Sequence, residues 1–112
     1  MKEFKPSERT KGEKMKKKSK RFVICRTYSA GVFAGFLESR KGQEVVMTNA
    51  IRLWYWKGAS SLSQLAMEGV KCPDECKFGM PVTRVELLQA IEILDVTKEA
   101  QKNIQGVTPW KQ

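Results

Sequence analysis

The sequence predicts an α+β domain: a small, strongly bent antiparallel sheet of the SH3- or Sm-type half-barrel kind, with two short helices and a disordered basic N-terminal arm. Three observations predict it. Residues 22–56 are rich in Val, Ile, Phe, Tyr, Thr and Trp and are broken by glycine-containing turns, the pattern of consecutive strands with short connections. Two later segments carry helix start and stop residues at helical spacing. Residues 1–20 hold nine Lys or Arg against three Glu, and their only sizeable non-polar side chains are Met1, Phe4, Pro6 and Met15.

That opening segment cannot bury enough apolar surface to offset its ordering entropy, so it is expected to be a disordered arm. The folded domain is then residues 21–112, long enough for one modest core without obligatory disulfides or metal. Strand one is expected at residues 22–29. Phe22, Ile24, Arg26 and Tyr28 share one of its faces; Val23, Cys25 and Thr27 share the other. A tight bend at SAG leads to strand two, residues 32–39, where the internal Gly35 marks a bulge, a sharp bend or a close backbone approach. RKGQ, residues 40–43, reads as a hairpin turn, and strand three runs from Glu44 through WYW with a bend near Thr48 and Asn49.

After Gly58 the period changes. Ser61 with Gln64 three residues on has the form of a capping box; Leu62, Leu65 and Ala66 follow at helical spacing, and Gly69 ends a short helix. KCPDECKFGMP is a loop. Residues 82–96 fit a helix through Leu87, Leu88, Ile91 and Leu94, and a strand through Val85, Leu87, Ile91 and Ile93; the β-branched residues and Pro81 favour two short strands or one long bent one. A last helix runs from Thr97 or Lys98 to Gln105, with Thr97 as cap, Ala100, Ile104 and Val107 as its buried stripe, and Gly106 and Pro109 beyond it.

Charge ranks the possible partners. The chain carries +9, of which the arm supplies +6 and the rest +3. A solvated basic tail attracts DNA, RNA or acidic protein surfaces through counterion release, without sequence specificity; the alternative is a solubility tail. The lysine-rich start has no apolar stretch after it as a signal peptide would, and no run approaches the length of a membrane span, so no membrane partner is expected. Three cysteines, an odd number, suggest reduced thiols and a place in the cytoplasm.

The run RTYSAGVFAGFLESRKGQEVVMTNAIRLWYWKGASSLSQLAMEGV, with the later LLQAIEILDVTKEAQKNI, resembles a family of small proteins encoded by bacteriophages and prophages and carried as a domain of unknown function. The matching features are the RTYSAGV opening, the Trp-rich third strand followed by Gly-Ala, and the closing acidic-hydrophobic strand and helix. The resemblance covers about residues 21 to 110, implies a phage origin, and assigns no catalytic residue.

Enzymatic chemistry is poorly supplied. There is no histidine, the commonest general base and metal ligand. Cys25, Cys72 and Cys76 would make a three-thiolate zinc site lacking its fourth ligand, so no metal and no cofactor are implied. The aromatic cluster says more. On a regular strand Ile51, Leu53 and Tyr55 point one way, while Arg52, Trp54 and Trp56 point the other. An arginine beside two tryptophans makes a cationic stacking surface for bases or nucleotides. Core packing under the first helix is the competing role for each tryptophan.

The sequence therefore leads to a non-enzymatic phage accessory protein that binds nucleic acid or a nucleotide-like ligand. Arg52, Trp54 and Trp56 would stack, Lys57, Arg26 and Arg21 would meet phosphates, and Lys16, Lys17 and Lys18 of the arm would supply long-range attraction. If strands one and three are neighbours, Arg26 and Arg52 join one patch. The alternatives are a protein-interaction module that inhibits a host enzyme or antiviral defence, using the same residues as a hot spot, and a virion or assembly component. Trp110 is either a plug over one end of the sheet or an exposed anchor.

Overall fold

A computed structural model describes residues 20–110. The expected arm, apart from Lys20, lies outside the described residues, as do Lys16, Lys17 and Lys18. Strands β1 (Arg21–Thr27), β2 (Val32–Lys41) and β3 (Glu44–Tyr55) form an antiparallel meander. Helix α1 (Leu62–Glu68), a 3₁₀ turn (Pro73–Glu75) and the two-residue strand β4 (Lys77–Phe78) follow. The ambiguous segment is two strands, β5 (Val82–Leu87) and β6 (Ala90–Asp95), and helix α2 (Lys98–Gln105) closes the order.

The sheet is six-stranded and antiparallel, in the order β4-β3-β2-β1-β6, with β5 on β3 beside β4. β5 and β6 thus stand at opposite ends of the sheet, although only Leu88 and Gln89 separate them. Four flat strand spacings amount to about 19 Å, whereas the three Cα steps from Leu87 to Ala90 reach at most about 11 Å. The sheet must curl until its ends approach. It does not close: no ladder joins β5 to β6, so the expected half-barrel is, among the described residues, an open curled sheet and not a barrel.

Two register shifts between β2 and β3 shape the curl. One lies between Leu37 and Ser39; the other, between Ala34 and Phe36, places one β2 residue opposite Asn49 and Ala50. The two are of opposite sense, so the pairing that starts as Lys41↔Glu44 at the hairpin is back in step at Phe33↔Arg52. Asn49 takes the left-handed conformation, φ 49°, which asparagine tolerates better than most residues. Gly35 is needed where the second shift brings the strands together: a Cβ on it would lie 2.8 Å from the Ala50 Cα. The bend expected at Thr48-Asn49 and the close approach expected at Gly35 are one feature.

The shift at Asn49 and Ala50 reverses which side chains of β3 point to which face. Val45, Met47 and Ala50 pack with Val23, Cys25, Phe33, Leu87 and Ala90 inside the curl, a cluster made only of strand residues and their ends. Beyond it, Ile51 and Leu53 face the other way, joining Phe22, Ile24 and Ala34 beneath Leu65, Ala66 and Val70 of the first helix and its exit and Ile104 and Val107 of the last. Both helices begin as their sequences suggest. The Gln64 N–H donates to Ser61 Oγ at 3.1 Å, and the Ala100 N–H to Thr97 Oγ1 at 3.0 Å. The Gln64 side chain accepts from the Ser60 N–H at 2.8 Å, one residue earlier than a regular capping box would have it. Asn103 ties the helices together. Its amide accepts from the Val70 N–H at 2.8 Å and donates to the Val70 carbonyl at 2.9 Å.

Candidate functional site: the Arg52 and Trp54 cleft

The reversal at Ala50 sends Arg52 and Trp54 to the curled face, past the end of its buried cluster. There Arg52 lies directly opposite Phe33 on β2. Its guanidinium sits 4.6 Å from the Phe33 ring centroid and 5.3 Å from that of Trp54, so one cation touches two π-faces. Gly79 holds the far side: its N–H donates to the Arg52 carbonyl at 2.8 Å, and a Cβ there would stand 3.5 Å from the Trp54 indole nitrogen. Phe33, Ala50, Arg52, Trp54, Met80 and Val82 line a cleft of about 220 Å³. Trp54 is 58 % exposed at its mouth.

The electrostatics of this cleft differ from those of the rest of the domain. Arg21 donates through Nε and Nη2 to Asp95 at 2.9 and 2.7 Å, Arg26 pairs with Glu92 at 2.8 Å, Arg84 with Glu86 at 2.7 Å, and Arg40 donates to the Gly42 carbonyl at 2.8 Å. Arg52 has no such acceptor among the described residues, and its Nε is a buried nitrogen without a hydrogen-bond partner. A buried donor left unpaired costs stability, so such a group calls for an explanation. An arginine stacked on rings keeps its charge while shedding water, and an acceptor brought by a ligand would satisfy it.

The remaining candidates fall elsewhere. Arg26 and Arg52 do not form one patch: β2 lies between their strands, and Arg26 alternates with Ile24 on the helix-covered side. Trp56 does not share a surface with Trp54. It follows the last residue of β3 and is half-buried against the helix-covered core with Leu62 and Ala59, the packing role the sequence had offered as the alternative. Lys57 donates to Glu75 at 2.8 Å, a hydrogen bond and charge that raise its pKa, so its ammonium is already partnered. Arg21 sits at the domain entrance, engaged by Asp95. Trp110 is neither plug nor free anchor: its backbone N–H donates to the Phe78 carbonyl at 2.7 Å, and Lys77 stands over its half-exposed ring at 5.2 Å.

The thiols are dispersed. Cys25 is fully buried inside the curl, where desolvation pushes its pKa up to about 11. Cys76 is buried in the helix-side core and accepts from the Lys57 N–H at 3.4 Å. Among the described residues no group of three or more Cys, Asp or Glu is placed to hold a metal ion.

Sequence reasoning missed Phe33, Gly79, Met80 and Val82. For Phe33 a signal existed: counting back from the RKGQ hairpin sets it opposite Arg52 because the two register shifts cancel. Gly79 and Met80 come from a loop whose return to β3 no local pattern announces, and Val82 from the start of the strand that follows it.

Among the described residues no helix is long and apolar enough to cross a membrane. No curated protein and no solved structure matches the chain. Residues 20–104, which contain the whole sheet, the cleft and nearly all of the last helix, match the family described as a domain of unknown function (DUF6948), and the chain belongs to that family.

Proposed function

We propose that this domain is a non-enzymatic binding module of phage or prophage origin, acting in the cytoplasm of a bacterial host, that takes a nucleic acid or nucleotide-like ligand at the Arg52 and Trp54 cleft. The observation that carries this reading is Arg52 itself: stacked between two rings, with no acceptor among the described residues, at the mouth of a cleft with an exposed tryptophan. A base stacked on Trp54 would place phosphate or carbonyl oxygens within reach of the guanidinium. The basic segment before residue 21 supplies general attraction to the polyanion. Arg21, Arg26 and Lys57 contribute less than the sequence suggested, because each already has a carboxylate.

That same neutralisation favours a second reading. Arg21, Arg26 and Arg84 are paired with carboxylates, and the cleft presents exposed Trp54, Met80 and Val82 around one cation, the composition of a protein hot spot. Tryptophan fluorescence of the full chain, titrated with a single-stranded oligonucleotide at low and moderate salt, separates the two. Salt-sensitive quenching that disappears in Trp54→Ala and weakens in Arg52→Ala supports the nucleic-acid reading. A folded chain that gives no response at low salt excludes it and leaves the protein partner.

A further inference from the structure

Among the described residues strand β5 has a neighbour on one side only. It pairs with β3 from Val45↔Leu87 to Ala50↔Val82, and among the described residues nothing pairs with its outer edge. An unpaired edge of this kind is a template for another strand. Edges are commonly protected by repeated charge of one sign, by proline or by a bulge. β5 instead carries one charge of each sign, Arg84 and Glu86, two residues apart, more than half exposed and bonded to each other at 2.7 Å.

We propose that the outer edge of β5 is a dimerisation surface, on which β5 of a second copy of this chain adds antiparallel about a two-fold axis through Val85. Charge complementarity selects the occupant. In an isologous pair every contact occurs twice, so the segment must complement its own reverse. Centred on Val85, Arg84 of each copy stands opposite Glu86 of the other. Two ion pairs then form on one face, a cross-strand combination that stabilises antiparallel ladders. Centring on Arg84 or on Glu86 sets like charges against each other. Centring on either peptide bond beside Val85 places Arg84 opposite Val85 or Leu87 and loses both ion pairs. One register satisfies the strand, and the two Arg84–Glu86 bonds that the separate chains make internally are exchanged for two between chains.

The test is sedimentation equilibrium of the full chain, freed of nucleic acid, from micromolar to millimolar concentration, because a strand-to-strand contact is small and gives weak association. The mass is expected to rise from 12.8 kDa toward twice that value. Arg84→Glu and Glu86→Arg should each weaken self-association by about tenfold or more, since each sets like charges opposite one another twice. Mixed together, these two variants should form a dimer, because both facing charge pairs are again of opposite sign. The double variant R84E/E86R should self-associate about as well as the parent. A chain that stays monomeric throughout the range, single reversals that leave association unchanged, or a mixture no more associated than its components would each overturn the proposal. The first of these would leave the edge to an extended segment of another protein.

Discussion

Trp54 and Trp56 stand two residues apart and have opposite fates, and so do the two faces of the sheet they belong to. The helix-covered face is mated: Ile51, Leu53 and Phe78 lie under α1 and α2, and Trp56 fills the margin of that layer. Among the described residues, no helix is laid over the curled face. It buries Cys25, Phe33, Val45 and Met47 by bending around them, and where the bend runs out it leaves a cleft with Arg52 and Trp54 at its lip. A sheet that covers itself cannot cover its own margin. The unpaired Arg52 Nε lies at that margin, whereas the helix-covered face shows no buried unpaired side-chain polar atom among the described residues.

The comparison can be broken first at Leu65, which is fully buried in the mated layer. Leu65→Ala should cost about 3 kcal/mol in urea unfolding, through lost transfer energy and the cavity left behind. A loss under about 1 kcal/mol would mean that the helices rest on the sheet loosely.

The curled face is tested through Cys25, whose thiol is held protonated to about 11 against an ordinary 9.0 by burial among apolar residues. Here the folded pKa is the higher one. As pH rises the unfolded chain loses its thiol proton first, so the stabilisation is complete below about pH 9 and is gone by about 11. Two pKa units correspond to about 2 to 3 kcal/mol. Urea unfolding on both sides of that window should show this loss in the parent and lack it in Cys25→Ala. Parallel slopes in both proteins would mean that water reaches the inside of the curl.

The sharpest contrast carries the smallest effect. Trp56→Ala should destabilise by about 2 kcal/mol because its ring packs against the helix-side core. Trp54→Ala should stay within about 0.5 kcal/mol of the parent, its exposed ring being a surface group. Equal losses at the two positions would erase the distinction between the faces.

Much of this architecture is legible locally. The hairpin at RKGQ, the caps at Ser61 and Thr97, and the stripe of Ala100, Ile104 and Val107 are short-range statements, and each holds in the fold. The alternation that put Arg52 with Trp54 also holds, because both follow the bulge. It fails at Trp56, where the strand ends and the chain turns toward α1. The carboxylates that engage Arg21, Arg26 and Lys57 come from residues far along the chain, Asp95, Glu92 and Glu75, and no local pattern predicts which basic residue meets which acid. Strand order was the other gap. A hairpin reading joins β1 to β2 and β2 to β3, but only the curl reveals that β5 and β6 border opposite ends.

That last arrangement also bears on how the chain reaches its fold. β1 is complete early in synthesis, yet its second neighbour is β6, and Ile24 waits for Leu94. Until residues 82–95 have left the ribosome, the meander carries two open edges and an uncovered apolar interior. Pairings between such distant residues make folding slow, and they lengthen the time during which nascent chains can stick to one another. A version of the protein shortened after Leu87 would keep its hairpins and its first helix and lose the strand that borders β1. It should collect in aggregates where the full chain remains dispersed.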